Sequence, residues 1–113
     1  MYIKVFLFPV TEKEAASHYS EESNKEVKIY KLEIDEALNF ARTYADSINE
    51  KCDSLLGIYD SDFFNTEKCI LLNEWLLENK EELASSSFNN IYDILKEYTN
   101  IAINNKSGIM IDL

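Results

Sequence analysis

A chain of 113 residues and 13.1 kDa has the length of one domain, enough for a single core and short for two. Its 46% hydrophobic and 12% aromatic content, with two glycines and one proline, predicts a packed globule and argues against disorder. Twenty-one acids against eleven bases leave a net charge of −10, which repels nucleic-acid phosphates and anionic membranes and draws in basic partners.

Residues 2–8, YIKVFLF, are rich in β-branched and aromatic types and stop at Pro9, as a first strand would. Their apolar stretch is too short for an export signal, and no later run approaches the length of a membrane span, so a cytoplasmic protein is expected. Thr11 and Glu14 have capping-box spacing and open a short helix reaching toward Tyr19. The polar stretch SHYSEESNKE follows as an acidic connection and contains the sole histidine, His18. In VKIYKLEI, Val27 and Ile29 share one alternation and Tyr30, Leu32 and Ile34 the other, which predicts a strand over 27–34 with a bulge or register change.

Leu38, Ala41, Ala45, Ile48 and Cys52 then recur at steps of three and four, with Phe40 and Tyr44 widening the stripe. This is an amphipathic helix over 35–52, with Asp35 and Glu36 at its positive N-terminal end. Asn65 or Thr66 caps a second helix, over 66–84, in which Cys69, Leu72, Trp75, Leu76 and Leu83 form the main face. Ile70, Leu71 and Leu77 fill much of the remaining girth, so this is expected to be the most buried helix. Phe88, Ile91, Leu95, Tyr98 and Ala102 mark a third helix over 88–104, and Ile109, Ile111 and Leu113 alternate in a last strand over 109–113. The expected fold is α+β: a small, mainly antiparallel sheet (2–8, 27–34, 109–113) on three amphipathic helices (35–52, 66–84, 88–104), in one domain spanning residues 1–113.

Catalytic parts are missing. His18 has no positioned nucleophile near it in the sequence, Arg42 is the single arginine, and there is no glycine-rich phosphate loop. Cys52 and Cys69, 17 positions apart, fit neither a zinc ribbon nor a disulfide framework and are read as small core hydrophobes. Asp60-Ser61-Asp62 follows the apolar run Leu55, Leu56, Ile58, Tyr59, and carboxylates at the end of a strand can hold Mg²⁺. The triplet is similar to the first motif of the haloacid-dehalogenase-like phosphatases, but it lies mid-chain, without that family's following small residues and threonine. As an EF-hand it fails at Phe64, Asn65 and Leu71, where an oxygen ligand, the turn glycine and the bidentate glutamate belong. No catalytic residue, metal site or cofactor is therefore expected.

From Glu33 to Asp62 eight acids (Glu33, Asp35, Glu36, Asp46, Glu50, Asp53, Asp60, Asp62) face two bases, Arg42 and Lys51. Among them Asp60 and Asp62 interleave with Tyr59, Phe63 and Phe64, and aromatic anchors beside carboxylates suit an interface with a basic protein. The expected contact residues are Tyr59, Asp60, Asp62, Phe63 and Glu67, with Asp53 and Glu50 as peripheral charge.

Small, acidic and without catalytic parts, the chain resembles the immunity proteins of contact-dependent inhibition and other polymorphic toxin systems of bacteria. The resemblance is one of size and composition and is carried by no aligned motif. It implies stoichiometric neutralisation of a toxin domain, plausibly a basic nuclease, by blocking its active site or an adjacent surface. The alternatives are an acidic regulatory or adaptor domain that binds a basic host protein, and a metal-dependent hydrolase using Asp60 and Asp62. The expected partner is a basic protein, with no direct contact to nucleic acid or membrane; the sequence sets no oligomeric state.

Overall fold

The computed structural model describes residues 2–7, 11–17, 27–57 and 61–112. In β1 (Tyr2–Phe6), Ile3 and Val5 point to one side and Lys4 and Phe6 to the other, and all four are buried. A strand buried on both faces needs a cover on each, and both covers are present.

Four strands, β1, β2 (Val27–Lys31), β3 (Ser61–Phe64) and β4 (Ile109–Asp112), form a wholly antiparallel sheet in the order β2-β1-β4-β3. The expected partners of the first strand are thus its neighbours on either side. The expected bulge in the second strand is absent, since Tyr2↔Lys31 through Phe6↔Val27 pair in continuous register. That strand ends at Lys31 rather than Ile34 because Ile34 is the first residue of the next helix, where its side chain is 72% exposed.

The strand β3 was not expected. The apolar residues before Asp60 suggest a strand ending at the acids, whereas the paired segment lies after them, against β4. Its alternation sends Phe64 to one face of the sheet and Phe63 to the other, and each ring is buried in a different cluster. Two successive phenylalanines in one short strand therefore serve two cores.

On one face lie α2 (Ile34–Cys52), α3 (Thr66–Glu78), α4 (Lys80–Ala84) and α5 (Asn89–Asn104), packed over Ile3, Val5, Phe64, Ile109 and Ile111. Of α5, the face Ile91, Leu95, Tyr98 and Ala102 is buried as its spacing predicts. On the other face α1 (Glu12–Ser17) brings Ala15 against Phe6, Val27, Phe63 and Met110. The expected helix over 66–84 is broken at Asn79, whose side-chain amide donates to the Trp75 carbonyl at 2.9 Å.

Asn65 caps α3, its Oδ1 accepting from the Lys68 N–H at 2.9 Å, while Thr66 donates to the Ser107 carbonyl at 2.7 Å and ties the helix to the α5–β4 connection. Gly108 in that connection has no room for a side chain: a Cβ there would sit 2.5 Å from both the Phe63 ring and the Phe64 carbonyl oxygen. The close crossing of this backbone over β3 needs glycine for want of space. Cys52 and Cys69 are free, fully buried and part of the main core, as their helical positions predict. No helix among the described residues is long and apolar enough to cross a membrane.

Candidate functional site: an acidic helical face and a pinned loop

Asp35, Asn39, Arg42, Asp46, Glu50 and Asp53 recur at steps of three and four along α2, and all of them are exposed. They lie opposite the buried stripe Ala37, Phe40, Ala41, Tyr44, Ala45, Ile48 and Cys52. Glu67, Ile70, Glu74 and Leu77 form the equivalent outward stripe of α3. The expectation that this is the most buried helix is therefore corrected: four of its 13 residues are buried against seven of 19 in α2, and Ile70 is 44% and Leu77 53% exposed. Lys68, Asn73 and Lys96 turn polar groups to the flanks instead, Lys96 Nζ donating to Asn73 Oδ1 at 2.6 Å.

The helix α2 packs beside α3, and side chains join it to α3 and to α4. Tyr44 OH donates to Glu82 Oε1 at 3.0 Å, Trp75 Nε1 to Ser47 Oγ at 2.9 Å, and Lys51 Nζ lies 2.9 Å from Glu78 and 3.4 Å from Glu74. Edge-on packing of Tyr44 on Trp75 and Phe88, with centroids 5.6 and 5.7 Å apart, fixes the helix pair beneath these polar contacts. Between the helices runs an open groove of about 580 Å³ lined by Ser47, Glu50, Lys51, Trp75, Glu78 and Asn79. The hydrogen bond from Lys51 to Glu78 raises the lysine pKa, so the ammonium stays charged throughout the neutral range. Burial, followed by the Glu82 carboxylate, raises the pKa of Tyr44 and keeps its hydroxyl a donor.

The connection after α2 is held from two sides. Asn49 Oδ1 accepts from Leu56 N at 2.8 Å and from Ser54 Oγ at 2.7 Å, and Asn49 Nδ2 donates to the Leu56 carbonyl at 2.7 Å. From the sheet side, Asp62 Oδ2 accepts from Leu55 N at 2.8 Å and Oδ1 from Phe63 N at 2.9 Å. Register explains this position: Asp62 opposes Ile111, on the same sheet face as Phe64, beneath the loop that leaves α2. Asp53 caps α2 in the left-handed conformation, φ 53°, and donates its N–H to the Asn49 carbonyl. Leu56 turns inward and is 6% exposed, whereas Leu55 projects outward and is 81% exposed.

The expected contact residues accordingly divide. Glu50, Asp53 and Glu67 are exposed, the first lining the groove and the second ending α2. Phe63 is not an exposed anchor: it is 6% exposed and meets Phe6 edge-on at 6.2 Å in the second core cluster. Both carboxylate oxygens of Asp62 accept backbone N–H groups, so the residue holds a loop rather than presenting a free charge. Tyr59 and Asp60, like His18, lie outside the described residues. Among the described residues no three His, Cys, Asp or Glu side chains gather as metal ligands.

Sequence reasoning missed Leu55, Glu74 and Glu78. Their signals were present: a Leu-Leu doublet beside a turn buries only one member when the chain is extended, and Glu67, Glu74 and Glu78 share one helical face with two leucine-type residues. Comparison with protein families, with curated proteins and with solved structures finds no match for this chain.

Proposed function

We propose that this chain is an immunity-type binding protein that neutralises a basic toxin domain by stoichiometric contact, without chemistry of its own. The observation that carries the reading is where the charge lies. Residues 33–82 contain thirteen acids and four bases, a net −9 of the chain's −10, and this segment supplies α2, the pinned loop, β3, α3 and the first three residues of α4.

An acidic surface of this extent raises the encounter rate with a cationic partner and sets its orientation, and it competes for a cleft that otherwise takes phosphates. The base that lines the groove, Lys51, is already engaged by Glu74 and Glu78. The groove therefore keeps a surplus of carboxylate from Glu50 and Glu78, with Glu74 beside them, suited to an arginine or lysine from outside.

The test is recovery of the tagged chain from its native cells at low and at high salt, with identification of what accompanies it. Beside it runs the triple variant Glu50→Lys, Glu74→Lys, Glu78→Lys, chosen because these side chains are exposed and none holds the loop. A basic toxin domain retained at low salt by the wild type, released by salt and lost from the variant supports the reading. Equal recovery of the same proteins by both forms overturns it, and a basic protein without toxic activity would leave a binding module of a different biological role.

A further inference from the structure

We propose that Leu55 is the apolar anchor by which the chain docks on a cationic protein, entering an apolar recess whose rim carries Lys or Arg. The inference rests on the binding reading above and specifies its point of contact.

At 81% exposure Leu55 is the most exposed large hydrophobic side chain among the described residues, and its setting differs from that of Ile34, the next. Ile34 opens α2 behind Glu33, which makes no side-chain cap, and so stands at a helix end with no side chain dedicated to holding it. Around Leu55, by contrast, two side chains from separate elements are spent on the backbone: Asp62 binds its own N–H, and Asn49 binds both backbone groups of Leu56. The backbone of residues 54–56 is held by these bonds before any partner arrives, so a contact through Leu55 forfeits little conformational entropy on binding.

The surroundings specify the occupant. Asp53 stands two residues before the leucine and Glu50 one turn of helix earlier, both exposed, and the Asp62 carboxylate lies directly at its N–H. An apolar tip that follows two exposed acids, Glu50 and Asp53, matches an apolar recess whose rim carries bases, the arrangement in which a desolvated anchor carries most of the affinity and the rim charges set register. The placement of Asp53 points the same way. An acid in the left-handed position at the negative end of a helix is locally unfavourable, since glycine fits the backbone better and a cation fits the dipole better. Local rules are broken in this manner where a surface serves recognition.

The experiment uses the full chain carrying a benzophenone amino acid at position 55 and, in a separate preparation, at position 74. Each is irradiated at low salt in extract of its native cells, and the adducts are mapped by mass spectrometry. Both positions should label one and the same basic protein, with the position-55 adduct falling on an apolar segment flanked by Lys or Arg. With that protein purified, Leu55→Ala should dissociate about 10- to 100-fold faster while the salt dependence of association stays as in the wild type. Leu55→Ala should melt with the wild type, because the side chain faces solvent. Labelling from position 74 but not 55, a 55 adduct with a second copy of this chain, or unchanged dissociation of Leu55→Ala overturns the anchor and leaves the binding reading standing. Labelling from neither position overturns both.

Discussion

Residues 33–82 and the remainder of the chain differ more in charge than in fold. The first segment carries a net −9, the rest −1, although both contribute to one sheet and one main core. In β1, β4 and α5 the side chains that matter are apolar and buried, such as Ile3, Val5, Leu95, Ile109 and Ile111. In α2, the loop and α3, each helix buries one stripe in the same core and turns an acidic stripe outward. The difference teaches that stability and recognition are divided here by helix face, so that substitutions on one side of a helix should leave the other property intact.

The sharpest way to test that division is alkaline pH, which ionises two thiols of the core. Burial pushes the Cys52 thiol up to about 11 and the Cys69 thiol up to about 12, from an ordinary value of 9.0. A raised folded pKa means that the stabilisation is complete below pH 9 and is lost as pH climbs through 11 and 12. Tyr44, raised chiefly by burial, adds in the same direction. The melting temperature should be level from pH 6 to 8.5 and then fall, the loss reaching several kcal/mol by about pH 12. The double variant Cys52→Ala, Cys69→Ala should fall less steeply over that range; an identical slope would show that the thiols are not responsible.

Leu95→Ala comes next. Its side chain is fully buried in the main core, and truncation should cost about 2–5 kcal/mol by denaturant titration. The folded fraction should still bind the partner with wild-type kinetics. Asn49→Ala should cost about 1–3 kcal/mol, since it removes three hydrogen bonds and leaves Leu56 N without its acceptor. Unlike Leu95→Ala it should also slow partner association, by freeing the loop, and it therefore tests whether order in that loop matters to binding.

Asp53→Gly is the smallest effect and the one of opposite sign. Relief of the left-handed backbone and removal of an acid from the helix C-terminus should stabilise the fold by about 0.5–1 kcal/mol. Weaker binding from a more stable protein would place Asp53 on the recognition side of the division. Unchanged binding would return it to the solvated surface.

The helices were legible because their patterns are long. Over α2 and α5 the buried residues repeat through several turns, and a repeat of that length specifies both the element and its inward face. The strand β3 was hidden by its four residues, among which Asp62, Phe63 and Phe64 show no alternation of polar and apolar type. Both faces of the sheet are covered there, and the one acid finds backbone donors. The same brevity misplaced the site. Asp62 and Phe63 read as a charge and an anchor side by side, but successive strand residues face opposite ways, and each was claimed by a different part of the interior.

The sequence by itself determined the α+β class, the inward faces of the long helices, the burial of both cysteines and the sign and rough location of the charge. Each of these follows from local periodicity or from composition, which act over one or two turns of chain. Tertiary structure alone decided which acids are free to meet a partner and which are spent on the backbone, because that depends on where the N–H of Leu55 falls relative to a carboxylate seven residues away. It alone left Leu55 in solvent and drew Leu56 inward, through hydrogen bonds from Asn49 and Asp62 that reach the loop from opposite sides.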